Sequence, residues 1–242
     1  MLSKAKIKFI KSLQIKKYRK QEQCFLVEGA KSVHELLTSD FELVTLLGTS
    51  DFLSTIHHQL KCEVIEVTLK ELDGLGEFQT NDSTLAIARQ KPNSLIEVLA
   101  DEFALVLDDI RDPGNLGTII RTAEWFGINK IIASTETADF YNSKVITSSM
   151  GSFTRSKIFY TDLENYLSKT QLKIFGAYLN GEDVHQVDFG KGGLMVIGNE
   201  SKGISPSLEK YITDKITIPR YGKAESLNAA IATAVICDNI RR

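Results

Sequence analysis

Apolar residues recur with helical spacing at Ile7, Ile10 and Leu13, and lysines fill the other faces, so the chain opens on an amphipathic helix. The pattern then changes to short continuous apolar runs. Cys24-Phe25-Leu26-Val27 reads as a buried strand, followed after Gly29 by a helix through Val33, Leu36 and Leu37. Residues 43–47 and 64–67 read as further strands with a helix between them over 52–60, and residues 85–88 as a closing strand. Together these make a small α/β unit over residues 1–90. Lys91-Pro92-Asn93-Ser94 interrupts the periodicity, because proline and asparagine disfavour regular structure, and residues 91–101 read as a linker.

Alternation restarts over residues 102–242. Ala104-Leu105-Val106-Leu107 is continuously apolar, as a strand covered on both faces requires. A helix over 116–126 follows, then a strand at 130–133 and a helix at 143–150. Strands are predicted at 173–178, 194–197 and 215–218, a helix around 208–211, and a last helix over 227–240. Strand–helix alternation of this kind predicts a mostly parallel sheet with helices on both faces.

Composition changes the picture little. The 242 residues are 43% hydrophobic and 25% charged, ordinary for a globular protein. No apolar run approaches a membrane span, and the basic start lacks the apolar core of a signal peptide, so the expected place is the cytoplasm, away from membranes. Cys24, Cys62 and Cys237 lie far apart without metal-type spacing and read as reduced, mostly buried thiols.

Charge changes it more. The net charge is −2, yet Lys4, Lys6, Lys8, Lys11, Lys16, Lys17, Arg19 and Lys20 fall in the first 21 residues with no acid among them. The remainder carries 21 basic and 31 acidic residues, a net of −10. Such segregation concentrates positive potential where a polyanion could dock, although a solvated basic helix gives the same pattern.

The candidate chemistry sits in three blocks after predicted strands. In the first, Asp108-Asp109-Ile110-Arg111-Asp112-Pro113-Gly114-Asn115 turns into a helix that Asn115 can cap, and Arg121 follows among apolar neighbours. In the second, Gly198-Asn199-Glu200-Ser201-Lys202-Gly203, two glycines bracket a polar loop and allow close backbone approach to a ligand. A plain strand-to-helix turn ending at Ser205-Pro206 explains the glycines but gives Glu200 no task. In the third, Ile218-Pro219 leads through a polar loop to Ser226-Leu227-Asn228, with Ser226 starting a helix and Asn228 in its first turn, where asparagine is a poor helix former.

These three blocks, in this order, resemble the SpoU (TrmH) family of RNA ribose 2′-O-methyltransferases of the SPOUT superfamily, over residues 105–239. Ser149-Met150-Gly151-Ser152 is also similar to a family segment and is given no catalytic role. Phe25-Leu26-Val27-Glu28-Gly29 is similar to the RNA-binding domain that often precedes the catalytic one, whereas Thr80-Asn81-Asp82-Ser83-Thr84 departs from the Gln-Gly turn often found there.

The resemblance implies an α/β fold: a C-terminal, mostly parallel sheet with a trefoil knot, preceded by a small α/β RNA-binding domain. It implies S-adenosylmethionine held by knot loops at Tyr178, Leu179, Asn180 and Gly181, at Ile197, Gly198 and Gly203, and at Ile218 and Leu227. It implies a homodimer whose site is completed across the interface. The resemblance assigns Arg121 to activating or orienting the ribose 2′-hydroxyl; because a guanidinium holds its proton tightly, the electrostatic form of that role is to stabilise the developing alkoxide or to grip a nearby phosphate. Asn115, Glu200, Ser226 and Asn228 would position the ribose and Arg121. The expected activity is methylation of a ribose 2′-hydroxyl in RNA, with rRNA favoured by the separate N-terminal domain; tRNA and a non-catalytic RNA-binding role are the alternatives. A dinucleotide-binding enzyme is set aside, because Gly74-Leu75-Gly76 lacks a third glycine at Gln79 and follows no convincing strand. His34, His57, His58 and His185 show no metal-ligand spacing, and His57-His58 reads as a solvated helix face.

Overall fold

Ile10 and Leu13 are almost completely buried, and they turn the apolar face of the first helix, α1 (Lys4–Ser12), inward. The computed structural model describes residues 2–57, 59–77 and 83–242. The chain divides into one unit of Met1–Pro92 with Asp139–Thr154, and a second of Asn93–Ala138 with Arg155–Arg242. Residues 139–154 thus belong with the N-terminal unit although they lie deep in the second half of the sequence.

In the first unit, α1 is followed by α2 (Lys16–Glu22), β1 (Cys24–Glu28), α3 (Ala30–Leu37), β2 (Leu43–Gly48), α4 (Ser50–Ser54), β3 (Glu63–Glu66), α5 (Leu69–Leu72) and β4 (Thr84–Arg89). The four strands order as β1-β4-β2-β3, with β4 antiparallel to both neighbours and β2 parallel to β3. The helix expected over 52–60 is the short α4, which ends at Ser54, and His57 lies beyond it in irregular chain. His58 and residues 80–82 of the departing turn fall outside the described residues.

Arg19 fixes this unit. It is 2% exposed, and its guanidinium donates to the carbonyls of Leu13 (3.0 Å) and Gln14 (2.8 Å) and to Asp139 Oδ2 (2.7 Å). Tyr141 and Phe153, from the same late segment, pack against Phe25 of β1, tilted and edge-to-face, with ring centroids 4.6 and 6.1 Å away.

The second unit contains β5 (Phe103–Leu107), α6 (Pro113–Trp125) and β6 (Lys130–Ala133). The connection onward passes through α7 (Ser143–Ser148), which lies in the first unit. Then come β7 (Lys157–Tyr160), α8 (Leu163–Leu167), β8 (Ile174–Asp183), β9 (Gly193–Ile197), α9 (Pro206–Glu209), β10 (Asp214–Thr217) and α10 (Ala229–Ile240). The six strands form one all-parallel sheet in the order β10-β8-β9-β5-β6-β7. Every residue of β5 and β9 is buried, which accounts for their unbroken apolar sequence.

All strands point the same way, so the turns after β5, β9 and β10 gather at one edge of the sheet, where open α/β sheets bind ligands. The outer part of β8 joins them by an irregularity. Lys215 pairs with Gly176 but Ile216 pairs with Glu182, so residues 177–181 arch out of the ladder.

Candidate active site at the carboxyl edge of the parallel sheet

Three of the expected site residues, one from each block, form a single hydrogen-bonded chain. Asn115 Nδ2 donates to Glu200 Oε1 at 2.6 Å, and Asn228 Nδ2 donates to Asn115 Oδ1 at 2.9 Å. Their sequence separations are 85 and 113 residues, so only the fold brings them together. Asn115 and Glu200 are half-buried and Asn228 is exposed, which leaves the chain open to a ligand on one side. Glu200 Oε2 has no partner among the described residues, so one carboxylate oxygen remains able to accept.

The helix starts differ from the sequence reading. Asp112 caps α6: its carboxylate accepts from the Asn115 backbone N–H at 2.8 Å, and Pro113 occupies the first turn. Asn115 is thereby free to use its side chain in the site. Ser226 does not start the last helix. Asn228 is its cap, accepting from the N–H groups of Ala230 and Ile231, and α10 begins at Ala229. Asn228 therefore does two things at once, its oxygen closing the helix end and its nitrogen holding Asn115. Ser226 is exposed, and its hydroxyl has no partner among the described residues.

Arg121 is not joined to this chain. It lies six residues beyond Asn115 on α6, about 9 Å along the axis and about 240° around it. It is exposed, and among the described residues no hydrogen bond or ion pair joins it to Glu200 within one copy.

The loop after β9 is a tight hairpin, with Asn199 and Gly203 exchanging backbone hydrogen bonds at 3.0 and 2.9 Å. A Cβ on Gly198 would come within 2.2 Å of the Gly203 carbonyl carbon, so glycine is required there by close packing of the backbone. Gly203 has φ +70°, a conformation that glycine adopts without strain. Ile197 is buried at the end of β9.

On the arch of β8, a Cβ on Gly181 would approach the Lys215 carbonyl oxygen to 2.5 Å. Thr217 Oγ1 donates to the Leu179 carbonyl at 3.1 Å, tying the arch to the end of β10. Leu179 is 73% exposed, Leu227 is 49% exposed and Ile218 is half-buried, which leaves apolar surface beside these loops. Asn180 is exposed. The Tyr178 ring packs instead with Ile204 and Ile212 in the apolar layer below, where burial raises its hydroxyl above the usual phenol range. Only the Tyr178 backbone is available at the edge.

Sequence reasoning missed the residues that hold the loops. Asn199 Nδ2 donates to the Asp109 carbonyl at 2.8 Å, and its Oδ1 accepts from the N–H groups of Ser201 and Lys202. Buried Asp108 accepts from the Ser205 N–H at 2.7 Å. A polar residue directly after a buried apolar strand was the available signal, and Asp108 carries it.

A family model for the SpoU rRNA Methylase family matches residues 102–238 of the chain, which include all three blocks. The chain belongs to that family. A second model, for an MRM3-like substrate binding domain, matches residues 4–86. Among curated proteins, this SpoU-family chain is similar to the Bacillus subtilis 23S rRNA (guanosine(2553)-2′-O)-methyltransferase RlmP. The two are 28% identical, over 98% of this chain and 96% of the relative. Among solved structures it is similar to a TrmH-family structure from Porphyromonas gingivalis, with TM-score 0.89, 35% identity, and coverage of 100% and 98% of the two chains. It is also similar to an AdoMet-bound rRNA methyltransferase from Sinorhizobium meliloti, with TM-score 0.89, 28% identity, and coverage of 100% and 96%.

Proposed function

We propose that this protein transfers a methyl group from S-adenosylmethionine to a ribose 2′-hydroxyl of ribosomal RNA. The observation that carries the reading is the Asn115–Glu200–Asn228 chain, built from three distant segments at the edge where a parallel sheet binds ligands. Family membership and the matches to rRNA enzymes along nearly the whole chain favour rRNA over tRNA.

The residues present suit the cofactor. Exposed Leu179 and Leu227 with Ile218 offer apolar walls for an adenine, and Gly181 and Gly198 stand where any side chain would collide with backbone. Tyr178, Asn180, Ile197 and Gly203 complete the loops that would hold it. When bound, S-adenosylmethionine supplies a methyl group on a sulfonium, open to in-line attack by the ribose oxygen.

A ribose hydroxyl is a weak nucleophile at neutral pH, so the protein must position it and stabilise the charge it develops. Glu200 Oε2 accepts from the hydroxyl, and Asn115 and Asn228 hold that carboxylate in place. Arg121 stabilises the alkoxide as a permanent cation and reaches the site from a second copy of the chain. Ser226 lies two residues from Asn228 and contributes a hydroxyl to the same loop. The homodimer is supported by Trp125 on α6 (81% exposed) and Ile231 on α10 (54% exposed), apolar side chains on two helices that pack together. A trefoil knot formed by the loops at 178–181, 197–203 and 218–227 is supported by the neighbour order β10-β8-β9, which departs from chain order. The N-terminal unit, residues 1–90 with a linker over 91–101, binds the RNA, and the catalytic domain is 102–242, of which residues 139–154 belong structurally with the first unit. The protein acts in the cytoplasm, consistent with the finding that no helix among the described residues is long and apolar enough to cross a membrane.

Arg121→Ala tests the catalytic assignment. Methyl transfer is expected to fall at least about 100-fold, while calorimetric titration with S-adenosylmethionine matches wild type. Retained activity would remove Arg121 from the catalytic set.

A further inference from the structure

Asp109 is one of three described non-glycine residues with positive φ, at +60°, and it stands at the exit of β5 beside the site. Left-handed backbone at such a residue persists only when its surroundings enforce it. Here they do. Its N–H donates to Ser134 Oγ at 3.0 Å, its carbonyl accepts from Asn199 Nδ2 at 2.8 Å, and its carboxylate accepts from Arg111 Nε at 2.6 Å. Asn199 directly precedes Glu200, so this clamp is continuous with the Asn115–Glu200–Asn228 chain.

The clamp fixes Arg111 through one nitrogen only. Its two terminal amino groups have no partner among the described residues, and its side chain is 63% exposed while that of Asp109 is 16% exposed. Asp109 and, more remotely, Glu136 keep the guanidinium firmly protonated. Asp109, Asp112, Glu200 and buried Asp108 lie around the same turns, with Lys202 in the loop that Asn199 holds, so a polyanion can approach only where cations stand in front of these carboxylates. A guanidinium held at Nε with both terminal nitrogens free has the fork geometry that binds two phosphate oxygens.

We infer that Arg111 is a positioning residue that grips a backbone phosphate beside the reacting ribose, with Asp109 and Asn199 setting its place. The inference rests on the RNA methyltransferase reading and adds to it a specific RNA contact outside the Asn115–Glu200–Asn228 chain. Arg111 touches phosphate, not the reacting atoms, so its loss should weaken RNA engagement and spare the chemical step.

The test uses the full-length protein with a 23S rRNA transcript. Relative to wild type, Arg111→Ala is expected to raise KM for the transcript, and Kd in a filter-binding assay, about tenfold or more. It should leave kcat within about twofold and reduce the slope of log affinity against log salt by about one phosphate contact. Arg111→Lys should recover the salt slope but only part of the affinity, because lysine keeps the charge and loses the fork. S-adenosylmethionine titration and thermal melting of both variants should match wild type, which separates a lost contact from a damaged fold. An unchanged RNA affinity and salt slope in Arg111→Ala overturns the inference, as does a fall in kcat at unchanged KM. A wild-type protein that binds the transcript and transfers no methyl overturns the methyltransferase reading instead, and the affinity comparison still decides on Arg111.

Discussion

The two units each contain a polar cluster assembled from distant sequence, and the two clusters are built on opposite terms. Around Arg19 the donors are consumed: two backbone carbonyls and a carboxylate surround a side chain with 2% exposure. Around Glu200 donors and acceptors are left over. One carboxylate oxygen, the Ser226 hydroxyl and the terminal nitrogens of Arg111 are left without partners among the described residues, at an edge open to solvent. Burying an unsatisfied group is costly, so a fold can leave valences empty only where water or a ligand will fill them. The first cluster is satisfied within the fold, and the second leaves groups that water or a ligand can fill.

That contrast predicts stability losses at one site and activity losses at the other. The largest stability effect belongs to Arg19→Ala, which strips the partly buried Asp139 carboxylate and two carbonyls of their donor. It should cost about 3–5 kcal/mol in urea unfolding. A loss below 1 kcal/mol would mean the cluster is not the anchor of residues 139–154.

Asn115→Ala should do the reverse. It frees Glu200 and Asn228, at a cost to stability of about 1 kcal/mol or less, while methyl transfer falls about 10- to 100-fold through lost positioning. Equal damage to melting temperature and to rate would erase the distinction between the clusters.

The smallest effect is confined to alkaline solution. Burial pushes the Cys237 thiol up from 9.0 to about 12, and Tyr141 from 10.0 to about 12. Below pH 9 both groups are protonated folded and unfolded, so neither makes stability vary with pH. Between pH 9 and about 12 the unfolded chain releases protons that the native chain keeps, and stability falls. Urea midpoints from pH 8 to 11 should decline accordingly, and less steeply in Cys237→Ala.

The fold was legible where one strand is buried on both faces. Residues 104–107 and 194–197 are continuous apolar runs, and both are central strands. It was less legible where short elements depend on tertiary contacts, as in β7, α8 and α5, which carry too few periodic positions to stand out. The placement of residues 139–154 is decided by Arg19 and Phe25, more than 110 residues away, and no local pattern announces it. The arch at residues 177–181 is a property of pairing with β10, which is a second-partner effect as well.

At the site, residue types were readable and roles were exchanged. Asp112 and Asn228 cap the helices that Asn115 and Ser226 were expected to cap, because several adjacent polar residues can fill a cap and only the backbone path selects one. The loop-holding residues Asp109 and Asn199 were hidden for the same reason, since their partners are about 90 residues apart.

The most direct test compares ribose 2′-O-methylation across the RNA of cells with and without this gene. One rRNA position is expected to lose its methyl group in the deletion and to regain it when the wild-type gene is restored, but not with an Arg121→Ala copy. An rRNA methylation map unchanged by the deletion would contradict the rRNA methyltransferase reading.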